Sequence, residues 1–190
     1  PAGSAHLRGL ELSGERFLSL GAQGESTWLF RPDEPLSRAA AAYVRTGHDA
    51  GVDQAYKCRV RTPWYRVPLL DAPDLFLTCM NADTPRLAAN AAGVHHLNSV
   101  HGVYLDERVR LLGRELLPLA SLNSVTLLSA EMSGRSYGGG ILKLEPGEAA
   151  SWAMPSCGLV ADRADALRAI RSEVSHALAK GELLGAVHLV

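Results

Sequence analysis

Long hydrophobic runs are missing from these 190 residues. No apolar stretch approaches the ~20 residues that a helical membrane span needs, so a membrane partner is not expected. Cysteine is scarce. Cys58, Cys79 and Cys157 are odd in number, widely spaced and without a C-x-x-C pair. That usage argues against a disulfide framework and a zinc site and points to a reducing cytoplasm. The opening stretch PAGSAHLRG lacks the features of a signal peptide, and it starts on proline, as a segment cut from a longer chain does. Net charge is also lacking, at −1 with a pI near 6.8. Coating of nucleic acid or anionic lipid by bulk charge is thereby excluded. Lysine is rare, with three against sixteen arginines. A GC-rich genome produces such a ratio, yet arginine is also the better fork for phosphate oxygens and guanine edges. At 47% hydrophobic residues the chain is not disordered, and its length suits one core and one domain spanning residues 1–190.

Charge is unevenly placed. Residues 1–53 hold five cations and seven anions, residues 54–143 ten and seven, and residues 144–190 four and six. A cationic middle therefore sits between two acidic ends, which composition bias does not explain.

Several segments carry local structure signals. RFLSL (16–20) and STWLF (26–30), separated by GAQGE, read as a strand pair. PLSRAAAAYVRT (35–46) starts on proline and stops at Gly47, the pattern of a helix. YKCRVR and WYRV read as strands broken at Thr62-Pro63, and DLFLTCM (74–80) and VHGVYL (100–105) as two more. Leu119, Leu122, Val125, Leu128 and Met132 have helical spacing after Pro118. ILKL reads as a strand after the break at GRSYGGG, and Asp162 as the cap of a final helix ending at Gly181, with the C-terminal helix and tail covering 160–190. The elements neither alternate strictly nor segregate. An α+β single domain is expected, a twisted mixed or antiparallel sheet flanked by helices and closed by a C-terminal helix.

Three stretches stand out chemically. YKCRVRTPWYRVP (56–68) packs four cations and three rings with no carboxylate. Extended, it would align Lys57, Arg59 and Arg61 on one face, a stripe about 13 Å long at ~3.3 Å per residue. That spacing suits successive phosphates about 3.4 Å apart on one strand. Edge-strand protection against aggregation places cations in the same way. TPRLAANAAGVHHLNSVHGVYL (84–105) is again free of acids and offers Arg86, Asn90, His95, His96, Asn98, Ser99 and His101, side chains able to read base edges. A metal site at the three histidines lacks a neighbouring carboxylate or cysteine, and satisfied core histidines are the ordinary alternative. In LNSVTLLSAEMSGRSYGGGILKLEP (122–146) the glycines follow a helix and precede a strand, unlike a nucleotide-binding loop. Close approach to a ligand and a plain helix stop both account for them.

YKCRVRTPWYRVP, PDLFLTCMNADTPRLAANAAGV, NSVHGV, LNSVTLLSAEMSGRSYGGGILKLEP and the following MP, taken in order, resemble the C-terminal target-recognition domain of gamma-class N6-adenine-specific DNA methyltransferases of restriction-modification type. The resemblance covers roughly residues 45–155. It implies double-stranded DNA as partner and, in the same polypeptide, an N-terminal methyltransferase domain that binds S-adenosylmethionine and flips the adenine. The family's N-P-P-[YFW] and F-x-G-x-G motifs are absent, so no catalytic residue, cofactor or metal is assigned to this chain.

On this reading Lys57, Arg59, Arg61 and Arg66 hold phosphates, and Trp64 and Tyr65 pack against sugar or a displaced base. Arg86, Asn98, Ser99 and His101 are candidates for base readout, and Arg135, Ser136, Tyr137, Gly139 and Lys143 for a loop at the flipped nucleotide. Three alternatives stay open. They are a small enzyme with a cysteine nucleophile, a protein-docking scaffold using Arg, Trp and Tyr, and an RNA-directed relative of the same enzymes.

Overall fold

The structure is a computed structural model that describes residues 3–190. Pro1 and Ala2, at the head of the stretch read as lacking a signal peptide, lie outside the described residues. The chain divides into two compact units, one of residues 1–27 with 71–190, the other Trp28–Leu70.

The larger unit is α+β, as expected. Its strands are β1 (Leu75–Thr78), β2 (Met80–Asn81), β3 (Leu87–Ala89), β4 (Val100–Val103), β5 (Arg135–Tyr137) and β6 (Ile141–Lys143). They form two antiparallel three-stranded sheets, in the orders β3-β1-β4 and β2-β6-β5. The chain crosses between the sheets at Cys79, whose carbonyl accepts from Leu144 N at 3.0 Å. The DLFLTCM and VHGVYL strands are thus where the sequence placed them.

Strand β1 is buried on both faces, which accounts for its near-continuous apolar run. Leu75 and Leu77 pack with Leu87, Leu142, Leu144 and Trp152, while Phe76 faces Leu7, Leu12, Leu20 and Val100. Leu20 belongs to α1 (Gly14–Ala22). RFLSL is therefore a helix and not a strand. Ser13 caps it, accepting from Arg16 N at 3.1 Å, and Phe17 and Leu20, three apart, face Phe76 while Leu18 is exposed. STWLF forms no regular element.

The single helix expected around Pro118 is two helices. Helix α4 (Arg110–Ala120) carries Pro118 inside it, and α5 (Ser124–Ser133) starts afresh where the Asn123 side chain accepts from Thr126 N at 2.9 Å. Asp162 does not cap the final helix. It ends α7 (Cys157–Asp162), and α8 (Ala164–Ala179) follows from Arg163 without a side-chain cap. Between β6 and α7 lies α6 (Pro146–Ser151), and α9 (Leu183–Leu189) follows Gly181. A second core joins α4, α7, α8 and α9 through Leu116, Leu119, Val160, Val174 and Leu178.

The Trp28–Leu70 unit holds α2 (Arg38–Asp49), a single 3-10 turn (Val52–Gln54) and α3 (Tyr56–Arg59). The helix expected over 35–46 is there, with Ser37 as its cap (Ala40 N to Ser37 Oγ, 3.2 Å). The two strands expected over YKCRVR and WYRV are not. A strand needs a partner for its N–H and C=O groups, and none of this unit's described residues is a strand. The backbone is satisfied locally instead, by Cys58 N and Arg59 N donating to Ala55 O at 2.8 and 3.0 Å.

Candidate nucleic-acid interface

Within the Trp28–Leu70 unit seven cations (Arg31, Arg38, Arg45, Lys57, Arg59, Arg61, Arg66) stand against four carboxylates (Asp33, Glu34, Asp49, Asp53), a net +3. The larger unit carries the opposite balance, −4. Two of the four carboxylates are occupied. Glu34 accepts from Tyr65 Oη at 2.6 Å and lies 3.7 Å from Arg66, and Asp53 meets His48 Nδ1 at 2.9 Å and Gln54 Nε2 at 2.8 Å. Among the described residues, Arg38, Arg45, Lys57, Arg59 and Arg61 have no carboxylate within ion-pair distance.

The helix at 56–59 changes the geometry foreseen for these side chains. Lys57, Arg59 and Arg61 do not line one face of a strand, because successive residues of α3 turn by about 100° rather than 180°. Lys57 and Arg59 are exposed and about 200° apart around α3, Arg61 follows two residues beyond the helix, and the Lys57 ammonium lies 5.9 Å from the Tyr56 ring centroid.

The next three residues turn inward. Arg66 donates to Pro32 O at 3.2 Å, Tyr65 to Glu34, and the Trp64 ring presses against Gly47 of α2, where an added Cβ would sit 2.8 Å from Cη2. These contacts hold the unit together. The hydrogen bond from Tyr65 to Glu34 also raises the tyrosine pKa above its usual value.

Aromatic surface lies elsewhere on the unit. Trp28 is 96% exposed, Tyr43 and Tyr56 are exposed, and Phe30 meets Tyr43 edge to face at 4.8 Å.

In the larger unit the stretch Arg135–Lys143 is a hairpin and not a helix stop. Arg135 pairs with Lys143 and Tyr137 with Ile141, leaving Gly138, Gly139 and Gly140 as the turn. Gly139 and Gly140 have φ of +79° and +76°, so the turn geometry itself requires glycine there. The register puts Met80, Lys143 and Arg135 across one face, with Tyr137 two residues along, while Asn81 and Leu142 are buried behind. Ser136 stays exposed opposite Leu142. The face is not purely cationic: Arg135 bonds Glu148 at 2.7 Å and Lys143 bonds Glu145 at 2.5 Å, 5.3 Å from the Tyr137 ring centroid.

The 84–105 stretch supplies mostly internal contacts. The Arg86 side chain is only 13% exposed, paired with Asp83 and donating to Arg8 O at 3.2 Å. His101 Nε2 lies 2.7 Å from Leu144 O, tying β4 to the end of β6. The polar atoms of both side chains are engaged within the chain. Asn90 is 1% exposed and holds the backbone of Pro73 and Val94. Asn98 is exposed and Ser99 half-buried.

His96 lies against the Phe76 ring edge, 6.2 Å between centroids, and over Gly102. Burial lowers its pKa from the ordinary 6.5. The imidazole is neutral in the fold but takes a proton in the unfolded chain, so its contribution is full above about 6.5 and is lost as pH falls through the lowered value. His96→Asn is expected to flatten the fall of the thermal midpoint on acidification, measured by calorimetry from neutral pH downward. An unchanged slope contradicts this assignment.

The Cys79 thiol is not disposed to nucleophilic chemistry. Cys79 is buried, donates to Leu144 O at 3.3 Å, and burial pushes its pKa up. Among the described residues no group of three His, Cys, Asp or Glu could hold a metal, and no helix is long and apolar enough to cross a membrane.

Sequence reasoning passed over Arg38, Tyr43 and Arg45. The helix carrying them was legible, and their seven-residue spacing was the available signal.

The family model for the C-terminal domain of Type II methyltransferase M.Eco57I matches residues 1–190, and the chain belongs to that family. It is similar to Type II methyltransferase M.XamI of Xanthomonas campestris pv. amaranthicola, 33% identical over 112 residues, 56% of this chain and 19% of that protein. It is also similar to Type II methyltransferase M.AccI of Acinetobacter calcoaceticus, 23% identical over 145 residues, 76% of this chain and 27% of that protein. The chain thus spans about a fifth to a quarter of the length of these relatives. No solved structure matches it.

Proposed function

We propose that this chain is the DNA-recognition part of an S-adenosylmethionine-dependent, adenine-N6-specific methyltransferase of restriction-modification type, acting in a prokaryotic cytoplasm. Methyl transfer and cofactor binding belong on this reading to an N-terminal domain of the same polypeptide. The observation that carries the proposal is that Lys57, Arg59 and Arg61 have no carboxylate in ion-pair reach within a compact unit of net +3, while the chain is near neutral. A cation left without a carboxylate keeps its full attraction for phosphate. Base readout is assigned to Asn98, Ser99 and the hairpin face of Arg135, Ser136, Tyr137, Gly139 and Lys143. There Glu145 and Glu148 hold the cations in fixed orientations and would yield part of their partners to a base edge.

Helix α5 supports a partner domain. Its outward side chains Val125, Leu128 and Met132 are mostly exposed, while Thr126 and Ala130 are buried behind. A helix apolar on both faces is ordinarily covered on both. The methyltransferase domain is the assigned cover, since relatives carry most of their length beyond the matched segment.

The test is a gel shift of the chain on labelled duplex with unlabelled duplex as competitor, across salt. Nucleic-acid recognition gives competition and a steep loss of binding between about 50 and 200 mM salt. A protein-docking scaffold gives neither, and preference for an RNA duplex over DNA would reassign the substrate.

A further inference from the structure

Helix α2 has two unlike sides. Ala40, Ala41, Val44 and Gly47 are the half-buried ones, with Gly47 in contact with Trp64. At about 100° per residue, Arg38, Ala42, Arg45 and Asp49 cluster on the opposite side, all exposed. Arg38 and Arg45 stand two turns apart, about 10 Å along the axis, separated by the small side chain of Ala42. Neither has a carboxylate in ion-pair reach, although Asp49 shares their face one turn beyond Arg45.

A solvated helix of twelve residues ordinarily places acids three or four positions from its arginines. Here the four residues after Arg38 are alanines, and the only acid of α2 is at its last position. The helix packs on the 3-10 turn Val52–Gln54, and that turn on α3, so Arg38, Arg45, Lys57 and Arg59 belong to one packed set of elements, with Arg61 two residues beyond it. Tyr43 and Tyr56, exposed rings on α2 and α3, supply flat surface beside them.

We propose that the outward face of α2, with Arg38 and Arg45 as its contacts, is a second phosphate-binding surface, and that the Trp28–Leu70 unit as a whole grips the DNA backbone without regard to sequence. This rests on the DNA-recognition reading above and assigns it a division of labour. The basic unit supplies affinity, and the acid-braced hairpin of the larger unit supplies discrimination. The backbone is a continuous polyanion, with one charge per ~1.7 Å of duplex axis, so two arginines about 10 Å apart on an outward helix face can each reach a phosphate.

The test uses the full chain and a mixed-sequence duplex, with dissociation constants from fluorescence anisotropy between about 50 and 200 mM salt. Arg38→Gln with Arg45→Gln is expected to make the log–log salt slope shallower by nearly two units, about 0.9 for each phosphate released, and to weaken every sequence equally. Arg163→Gln with Lys180→Gln, an equal change of charge at the ends of α8, leaves the slope as it was. Asp49→Asn is expected to tighten binding severalfold, a gain that misfolding does not produce. An unchanged slope in the α2 variant, an equal change in the α8 control, or no gain from Asp49→Asn overturns the proposal while leaving DNA recognition intact. Failure of the unaltered chain to bind any duplex at about 50 mM salt overturns the recognition reading itself.

Discussion

Asn90→Leu is expected to lower the unfolding free energy by about 3 to 5 kcal/mol, read from the shift of the urea midpoint. The side-chain amide of Asn90 donates to Pro73 O at 2.8 Å and Val94 O at 2.9 Å, and its oxygen accepts from Val94 N at 3.1 Å. Leucine is close in size and cannot make any of these bonds. Three backbone groups at a buried position would lose their partners, each at about 1 to 3 kcal/mol, partly offset by apolar transfer and by solvent entering the loop. The backbone N–H of Asn90 separately donates to Asp74 O at 3.0 Å beside the start of β1, a bond that leucine keeps. Asn98→Leu, at an exposed position eight residues on, should stay within about 0.5 kcal/mol of the unaltered chain. Equal stability of the two variants would contradict the bracing role of Asn90.

Neutralising Lys57, Arg59 and Arg61 together with glutamine is expected to weaken duplex binding by two to three orders of magnitude near 0.1 M salt. Each lost phosphate contact forfeits the release of about 0.9 counterion, which near 0.1 M salt is worth roughly a factor of eight in affinity. The loss should be the same for specific and mixed-sequence duplexes, because phosphates carry no base identity. Folding should be little affected. None of the three side chains makes an ion pair, and surface substitutions of this kind stay within about 0.5 kcal/mol each. Binding measured by anisotropy that stays within a factor of two would contradict the role given to these three cations. The same loss accompanied by a collapsed circular dichroism spectrum would assign those side chains to folding instead.

Much of the fold was legible in the sequence. The β1 strand announced itself through LFLT, an apolar run of the length of a buried strand, and α2 through Pro35, four alanines and a stop near Gly47. The helix at 16–20 was not, because a five-residue apolar run has no decisive period. The capping serine three residues before Arg16 was the clue that distinguished it. YKCRVR misled for a related reason. Alternation of charged and apolar residues describes a strand only where another strand is at hand, and partner strands are a property of the fold, not of six residues.

The candidate site was legible as composition and not as geometry. The acid-free stretch around residue 57 marks the basic unit, but residue type does not distinguish an exposed arginine such as Arg59 from Arg66, whose guanidinium reaches Pro32 O. Asn90 and Asn98 look alike in the sequence, and burial alone separates a brace from a reader. The partners of Arg135 and Lys143 lay within reach of inspection, since Glu145 and Glu148 follow the hairpin directly and close its cations through the cap of α6. What sequence reasoning did not show is that residues 28–70 form a unit apart, although GAQGES (21–26) and DAPD (71–74) lie at its two boundaries.

Amide hydrogen exchange of the full chain with and without saturating mixed-sequence duplex tests the central claim most directly. The account predicts slowed exchange across residues 38–61, covering α2, the 3-10 turn and α3, with smaller changes in the 135–143 hairpin unless the duplex carries the recognised site. Protection confined to the larger unit, with residues 38–61 exchanging as in the free chain, would contradict it.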